Sequence, residues 1–171
     1  MAFGQHVGGD VADRAVQAVV VGPDFAFGKD RAGTLDVLRH GIEMLGLRGK
    51  LSLAQFKPAL AMNPDILARY AANRLRVVRQ VHYSQHNENS IDLVLFVNGI
   101  PVATCELKSH YTQSVQDAIY QYKTERPPLF KPKNAPEPLL SFPGGALVHF
   151  AVDTEQVFMT TRLAWGATHF L

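Results

Sequence analysis

Residues 90–110, SIDLVLFVNGIPVATCELKSH, constrain the fold more than any other stretch. Two apolar runs flank Asn98-Gly99, the dipeptide best suited to the left-handed positions of a two-residue hairpin turn. A hairpin this apolar belongs inside a sheet. Yet Asp92, Glu106 and Lys108 stand near its open end, and strands entering a packed core usually exclude charge. Alternation puts Asp92, Val94 and Phe96 on one face of the first strand. It puts Thr104, Glu106 and Lys108 on one face of the second. A two-residue turn pairs Val97 with Ile100, hence Asp92 with Cys105, and sends Asp92 and Glu106 to opposite faces. One extra residue, in the turn or in a bulge, pairs Asp92 with Glu106 and gathers both acids and Lys108 on one face. Both registers remain open at this level. Leu107, between Glu106 and Lys108, is expected to point into the core.

If the charges cluster, their chemistry is specific. Two adjacent carboxylates repel, and one of them holds its proton more tightly. A divalent cation between them removes the conflict. Magnesium suits such a site, because it takes oxygen ligands and is commonly held by one or two carboxylates plus a substrate phosphate. Bound there, it polarises a phosphate and acidifies a water. Lys108 then supplies positive charge to the phosphate or the attacking water. Its role is electrostatic, since an unperturbed amine stays protonated at neutral pH.

The remaining segments read as an α/β domain. Residues 34–46, TLDVLRHGIEMLG, carry Leu35, Leu38, Ile42 and Leu45 at helical spacing between a Thr34 cap and Gly46. KLSLAQF alternates as a short strand. NPDILARYAANRL opens a helix with Asn63 as N-cap and Pro64 in its first turn, and Ile66, Leu67 and Tyr70 face one side. RVVRQVHY is an exposed strand. TQSVQDAIYQYKTER is a helix whose apolar stripe is Val115, Ala118, Ile119 and Tyr122, beside a polar stripe of Gln116, Tyr120 and Lys123. The Pro-rich PPLFKPKNAPEP is a loop. ALVHFAVD has the length and apolarity of a strand buried on both faces, and QVFMTTRL pairs with it around Thr154-Glu155. Strands, a crossover helix and a further buried strand imply a mixed central sheet flanked by helices. Residues 1–33 are an arm or extra element, and residues 34–171 the domain proper, expected to be one part of a longer protein.

Bulk properties narrow the class. The 171 residues suffice for one domain with a core. Lys plus Arg is 17 against 15 for Asp plus Glu, a net charge of +2, so charge alone does not hold nucleic acid. A single cysteine, Cys105, excludes a disulfide framework and reads as inert packing. No apolar run has membrane-spanning length, and a cytoplasmic, membrane-free setting is expected.

Asp92, followed fourteen residues later by Glu106-Leu107-Lys108, resembles the PD-(D/E)XK nuclease motif. DLVLFVNGIPVATCELK, followed by QDAIYQY on a helix, resembles the N-terminal nuclease domain of the R subunit of type I restriction-modification enzymes. LAQFKPAL, YAANRLRVVRQVHYS, LVHFAVDTEQVFMTTRL and the closing THFL are similar to other stretches of that domain, from about Thr34 onward. The resemblance implies a restriction-endonuclease-like core in which Asp92, Glu106 and the Leu107 carbonyl hold magnesium and Lys108 is the catalytic lysine. It also implies a Gln-x-x-x-Tyr motif on the following helix. Gln116 and Tyr120 match it literally and lie one turn apart on one face; Gln121-Tyr122 is the alternative. The family's partners are double-stranded DNA and separate methylation and specificity subunits. Its ATP-driven motor has no counterpart here, because the chain holds no Gly-x-x-x-x-Gly-Lys-Ser/Thr loop.

Relatives often supply a further acid from an opening helix. Residues 1–33 do not resemble that opening, and Glu43 is a poor substitute. His82 and His86 straddle a strand end, which disfavours a zinc site. His110 reads as a loop residue, and Arg74, Arg76, Arg79, Lys123 and Arg126 as a solvated face. The expected activity is magnesium-dependent hydrolysis of double-stranded DNA without sequence specificity of its own. Its rivals are a non-catalytic module docking a motor to its methyltransferase, and a hydrolase of small phosphates.

Overall fold

The computed structural model describes residues 40–43, 46, 48–109, 111, 113–142 and 144–171. Its centre is a mixed five-stranded sheet in the order β3-β4-β5-β8-β9. The strands are β3 (Leu75–His82), β4 (Ser90–Val97), β5 (Ile100–Leu107), β8 (Val148–Val152) and β9 (Val157–Thr160). β3, β4 and β5 run antiparallel to one another, β8 is parallel to β5, and β9 returns antiparallel to β8. Two two-residue ribbons stand outside this sheet. One pairs β1 (Ile42–Glu43) with β2 (Lys50–Leu51), the other β6 (Leu129–Phe130) with β7 (Ala135–Pro136).

The parallel step from β5 to β8 needs a crossover, and α2 (Val115–Thr124) lies on it. Ser114 and Asp117 form a capping box at its start, which satisfies backbone donors that the first turn leaves free. Its stripe of Val115, Ala118, Ile119 and Tyr122 is buried as the spacing predicts, and packs against β5, β8 and β9. In α1 (Pro64–Ala71), Asn63 Oδ1 accepts from the Asp65 and Ile66 amides. This helix buries no residue, and Tyr70 remains exposed. Of these two helices, α2 is the one with a buried face against the sheet.

The hairpin core is dense. Ile91, Val94 and Phe96 of β4 pack with Val78, Val81 and Tyr83, and with Tyr122 and Leu140. Two expectations fail. Residues 42–43 are strand, not helix, because Gly41 adopts φ +77° and a left-handed glycine ends a helix; residues 34–39, 44 and 45 lie outside the described residues. The Pro-rich segment is also more than a loop. A 3₁₀ turn at Lys131–Lys133 and a left-handed Asn134 (φ 48°) fold it into the β6–β7 ribbon.

Candidate active site

The β4–β5 register resolves the hairpin question by combining both features. Val97 pairs with Ile100 across the two-residue Asn98-Gly99 turn, where φ is 53° and 86°. Phe96 pairs with Pro101, but Leu95 pairs with Ala103. Val102 is thus the extra residue of a bulge. The ladder continues through Val94–Thr104 and Leu93–Cys105, and its next step sets Asp92 opposite Glu106. The turn cannot slide to undo this. Asn98 Oδ1 accepts from the Arg74 amide at 2.7 Å, and Asn98 Nδ2 donates to the Leu53 carbonyl at 2.7 Å.

Asp92 is held at both oxygens. Oδ1 accepts from Gln80 Nε2 at 2.9 Å, and Oδ2 from the Leu107 amide at 2.8 Å. Burial alone raises its pKa. The Leu107 amide, the Glu106 carboxyl and the Gln80 amide, helped by the Lys108 charge, outweigh burial and hold it below the usual carboxylate value. Glu106 is the opposite case. It is 1% exposed, and burial, with Asp92 adding to it, pushes it up to about 7 against the attraction of Arg126. The two acids therefore make an unequal pair, with Asp92 ionised and Glu106 retaining its proton near neutrality. Arg126, just beyond α2, donates from Nε to Glu106 Oε1 at 2.7 Å.

Lys108 follows directly on β5. Its amide donates to the Val152 carbonyl at 2.8 Å, so β8 fixes its backbone, and its charge reaches Asp92. Leu107 departs from expectation. Its side chain is 41% exposed rather than in the core. Thr104 and Glu106 face α2, as the Thr104–Tyr122 contact shows, so the next residue turns to the other side, at the strand's end. The Leu107 backbone faces the site, its amide holding Asp92 Oδ2.

The helix residues separate. Gln116 and Tyr120 are solvent-exposed. Gln121 is half-buried, with a buried Oε1 that has no hydrogen-bond partner. Tyr122 is fully buried. Its hydroxyl lies 2.8 Å from Thr104 Oγ1, which lies 2.7 Å from His149 Nδ1. Burial pushes His149 down to about 3, so it stays neutral.

Other candidates lie elsewhere. Glu43 pairs with Lys50 at 3.8 Å on the exposed β1–β2 ribbon. His82 Nδ1 contacts the Glu88 carbonyl, whereas His86 stacks on Phe130 at 4.3 Å. Cys105 is half-buried, and burial together with Glu106 raises its thiol pKa, as befits an unreactive side chain. Among the described residues, no group of three or more His, Cys, Asp or Glu could hold a metal ion. The Asp92–Glu106 pair nonetheless fits a hard divalent cation. All its donors are oxygen, its two acids crowd one another, and Glu106 already takes a positive partner.

Sequence reasoning missed two residues. Arg126 ended the predicted helix and read as part of a solvated face, because its partner Glu106 is 20 residues away in sequence. Gln80 sits in a strand whose charges read as solvated.

A model of the type I restriction enzyme R protein N terminus matches residues 65–167. The matched span covers β3, β4, β5, α2, β8 and β9, and with them Gln80, Asp92, Glu106, Lys108 and Arg126. No curated protein and no solved structure matches the chain. Among the described residues, no helix is long and apolar enough to cross a membrane.

Proposed function

We infer the function from one premise: the chain belongs to the family of the type I restriction enzyme R protein N terminus. On it we propose a magnesium-dependent endonuclease domain with a PD-(D/E)XK core, hydrolysing double-stranded DNA without sequence specificity of its own. The observation that carries this reading is the Val102 bulge. It converts a hairpin that would scatter its charges into one that sets Asp92 opposite Glu106, with Lys108 following on the same strand face.

Asp92 and Glu106 would hold the magnesium ion, with the Leu107 carbonyl as a further ligand. When bound, the ion supplies Lewis-acid polarisation of the phosphate and a more acidic water. The protein's own groups prepare that site. Gln80 and the Leu107 amide orient Asp92. Arg126 compensates Glu106, which must release its proton to act as a ligand. The Lys108 ammonium offsets the charge that develops on the scissile phosphate. Gln116 and Tyr120, exposed on α2, are positioned to meet DNA, and Gln121 supports the helix side of the site.

A net charge of +2 agrees with a domain that receives DNA from partners, namely methylation and specificity subunits, while ATP serves a separate motor. The test is plasmid cleavage by the assembled restriction complex with Mg²⁺. Asp92→Ala and Lys108→Ala should each abolish cleavage while leaving complex assembly intact. Undiminished cleavage by Asp92→Ala would show instead that the domain serves as a dock for the motor.

A further inference from the structure

We propose that Gln80 is a positioning residue for the acidic site, its side-chain amide fixing the Asp92 carboxylate in its metal-binding orientation. This rests on the reading of Asp92 as a metal ligand.

The first observation is backbone strain. Gln80 lies within β3 at φ +50°, a region that residues other than glycine, asparagine and aspartate rarely occupy. The second is a break in the ladder. Arg79 pairs with Leu93 and Val81 with Ile91, but the register has no Gln80–Asp92 pair between them. The third is a joint change of face. Inward residues step from Val78 to Val81 on β3, and from Val94 to Ile91 on β4, a stride of three where a regular strand has two. The two strands therefore kink together at Gln80 and Asp92.

The kink turns Val81 and Ile91 into the core, but the exposed Gln80 side chain takes no part in that packing. What engages it is a pair of hydrogen bonds. Gln80 Nε2 donates to Asp92 Oδ1 at 2.9 Å, and Gln80 Oε1 accepts from Ser90 Oγ at 3.1 Å. An ionised carboxylate only accepts, so the amide nitrogen must face Asp92. Ser90 holds the amide's other end and keeps it from turning over. With Leu107 donating to Oδ2 from β5, Asp92 has a fixed donor from each neighbouring strand. The Glu106 carboxyl bonds the same group, and its release as Glu106 gives up its proton leaves a lone pair open on each oxygen, so the clamp orients Asp92 without blocking it. Partners of this kind commonly contribute about 10-fold or more to metal affinity.

The experiment uses the 171-residue chain, with Mn²⁺ binding read by calorimetry and thermal unfolding read without metal. Gln80→Gly removes the amide and relieves the left-handed backbone. Gln80→Asn keeps a residue tolerant of that backbone but withdraws the amide by one methylene. Both should bind Mn²⁺ about 10-fold more weakly, while the glycine variant unfolds at the same temperature as the parent or higher. Asp92→Ala should abolish binding. If Asp92→Ala abolishes binding and Gln80→Gly leaves it unchanged, the role of Gln80 is overturned and the metal site stands. Weaker binding accompanied by a lower unfolding temperature makes Gln80 merely structural and overturns the proposal too. A parent chain that binds no Mn²⁺ overturns both readings together.

Discussion

Arg126 donates from Nε to Glu106 Oε1 at 2.7 Å, and the two side chains are only 13% and 1% exposed. The arginine lies just beyond α2, where its amide donates to the Gln121 carbonyl and the helix end favours positive charge. Its Nη1 also lies 3.6 Å from the more exposed Glu125 Oε2. Arg126 thus gives Glu106 the positive charge that a cation would supply, and Glu125 offers the guanidinium a second carboxylate.

Removing this arginine should destabilise the domain in a pH-dependent way. Arg126→Ala leaves Glu106 buried with no opposite charge, and breaking a buried pair from one side costs about 3–5 kcal/mol. Below the raised pKa of Glu106 the carboxyl is neutral, and most of that cost disappears. Urea unfolding in EDTA should therefore show a loss of roughly 3 kcal/mol at pH 8.5 and a clearly smaller one at pH 6. Equal losses at both would mean that Glu106 does not titrate between them.

The same group sets a slope in the parent protein. Glu106 moves from an ordinary value of 4.5 up to about 7 on folding, with burial the main cause. Between those values the folded state binds more protons than the unfolded one, so this contribution falls as pH rises from about 4.5 to about 7 and is flat above. Asp92 is held below 3.8, so it adds stability above that value and loses it only in stronger acid. Glu106→Gln isolates the middle window. Relative to the parent, the variant should gain stability progressively across it, to an upper bound of about 3 kcal/mol. Denaturant curves at pH 4.5, 6 and 8 measure the difference.

What was legible in the sequence followed period and turn chemistry. The hairpin, the α2 stripe and the Asn63 cap all came from local patterns, and the structure keeps them. What was not legible depended on single residues read by the tertiary fold. IPVATC reads as a strand; Pro101 in a central strand hints at a bulge nearby, but nothing singles out Val102 as its extra residue. Leu107 looked like a core residue because it is apolar, but the strand's end leaves it exposed. Gln80 and Arg126 looked solvated because their partners, Asp92 and Glu106, lie 12 and 20 residues away.

The buried Thr104 hydroxyl joins β5 to α2 and β8 through Tyr122 and His149. Thr104→Val should strand both partners without hydrogen bonds. At about 1–3 kcal/mol for each buried unsatisfied group, the expected loss is roughly 3 kcal/mol. Thr104→Ser keeps the hydroxyl and should cost no more than about 1 kcal/mol. Chemical denaturation of the two variants separates the network from the methyl group. A valine variant as stable as the serine one would show that the hydroxyl contributes nothing.

The bulge permits a sharper test, because its two possible repairs differ. Deleting Val102 removes the residue that has no partner of its own. The ladder then runs from Val97–Ile100 through Phe96–Pro101 and Leu95–Ala103 without interruption, and Asp92 still faces Glu106. The deletion loses the packing of a half-buried Val102 and its carbonyl bond to the Leu147 amide, about 1–2 kcal/mol, but it spares the site. Inserting one glycine after Ala103 does the reverse. With a single bulge retained, Thr104 moves opposite Leu93 and Cys105 opposite Asp92, so Glu106 turns to the other face. Mn²⁺ affinity should survive the deletion within a few-fold and vanish on insertion, although the insertion lies three residues from the nearest acid. Calorimetry on both variants decides it. Binding retained by the insertion variant would mean that the pairing of Asp92 with Glu106 does not make the site.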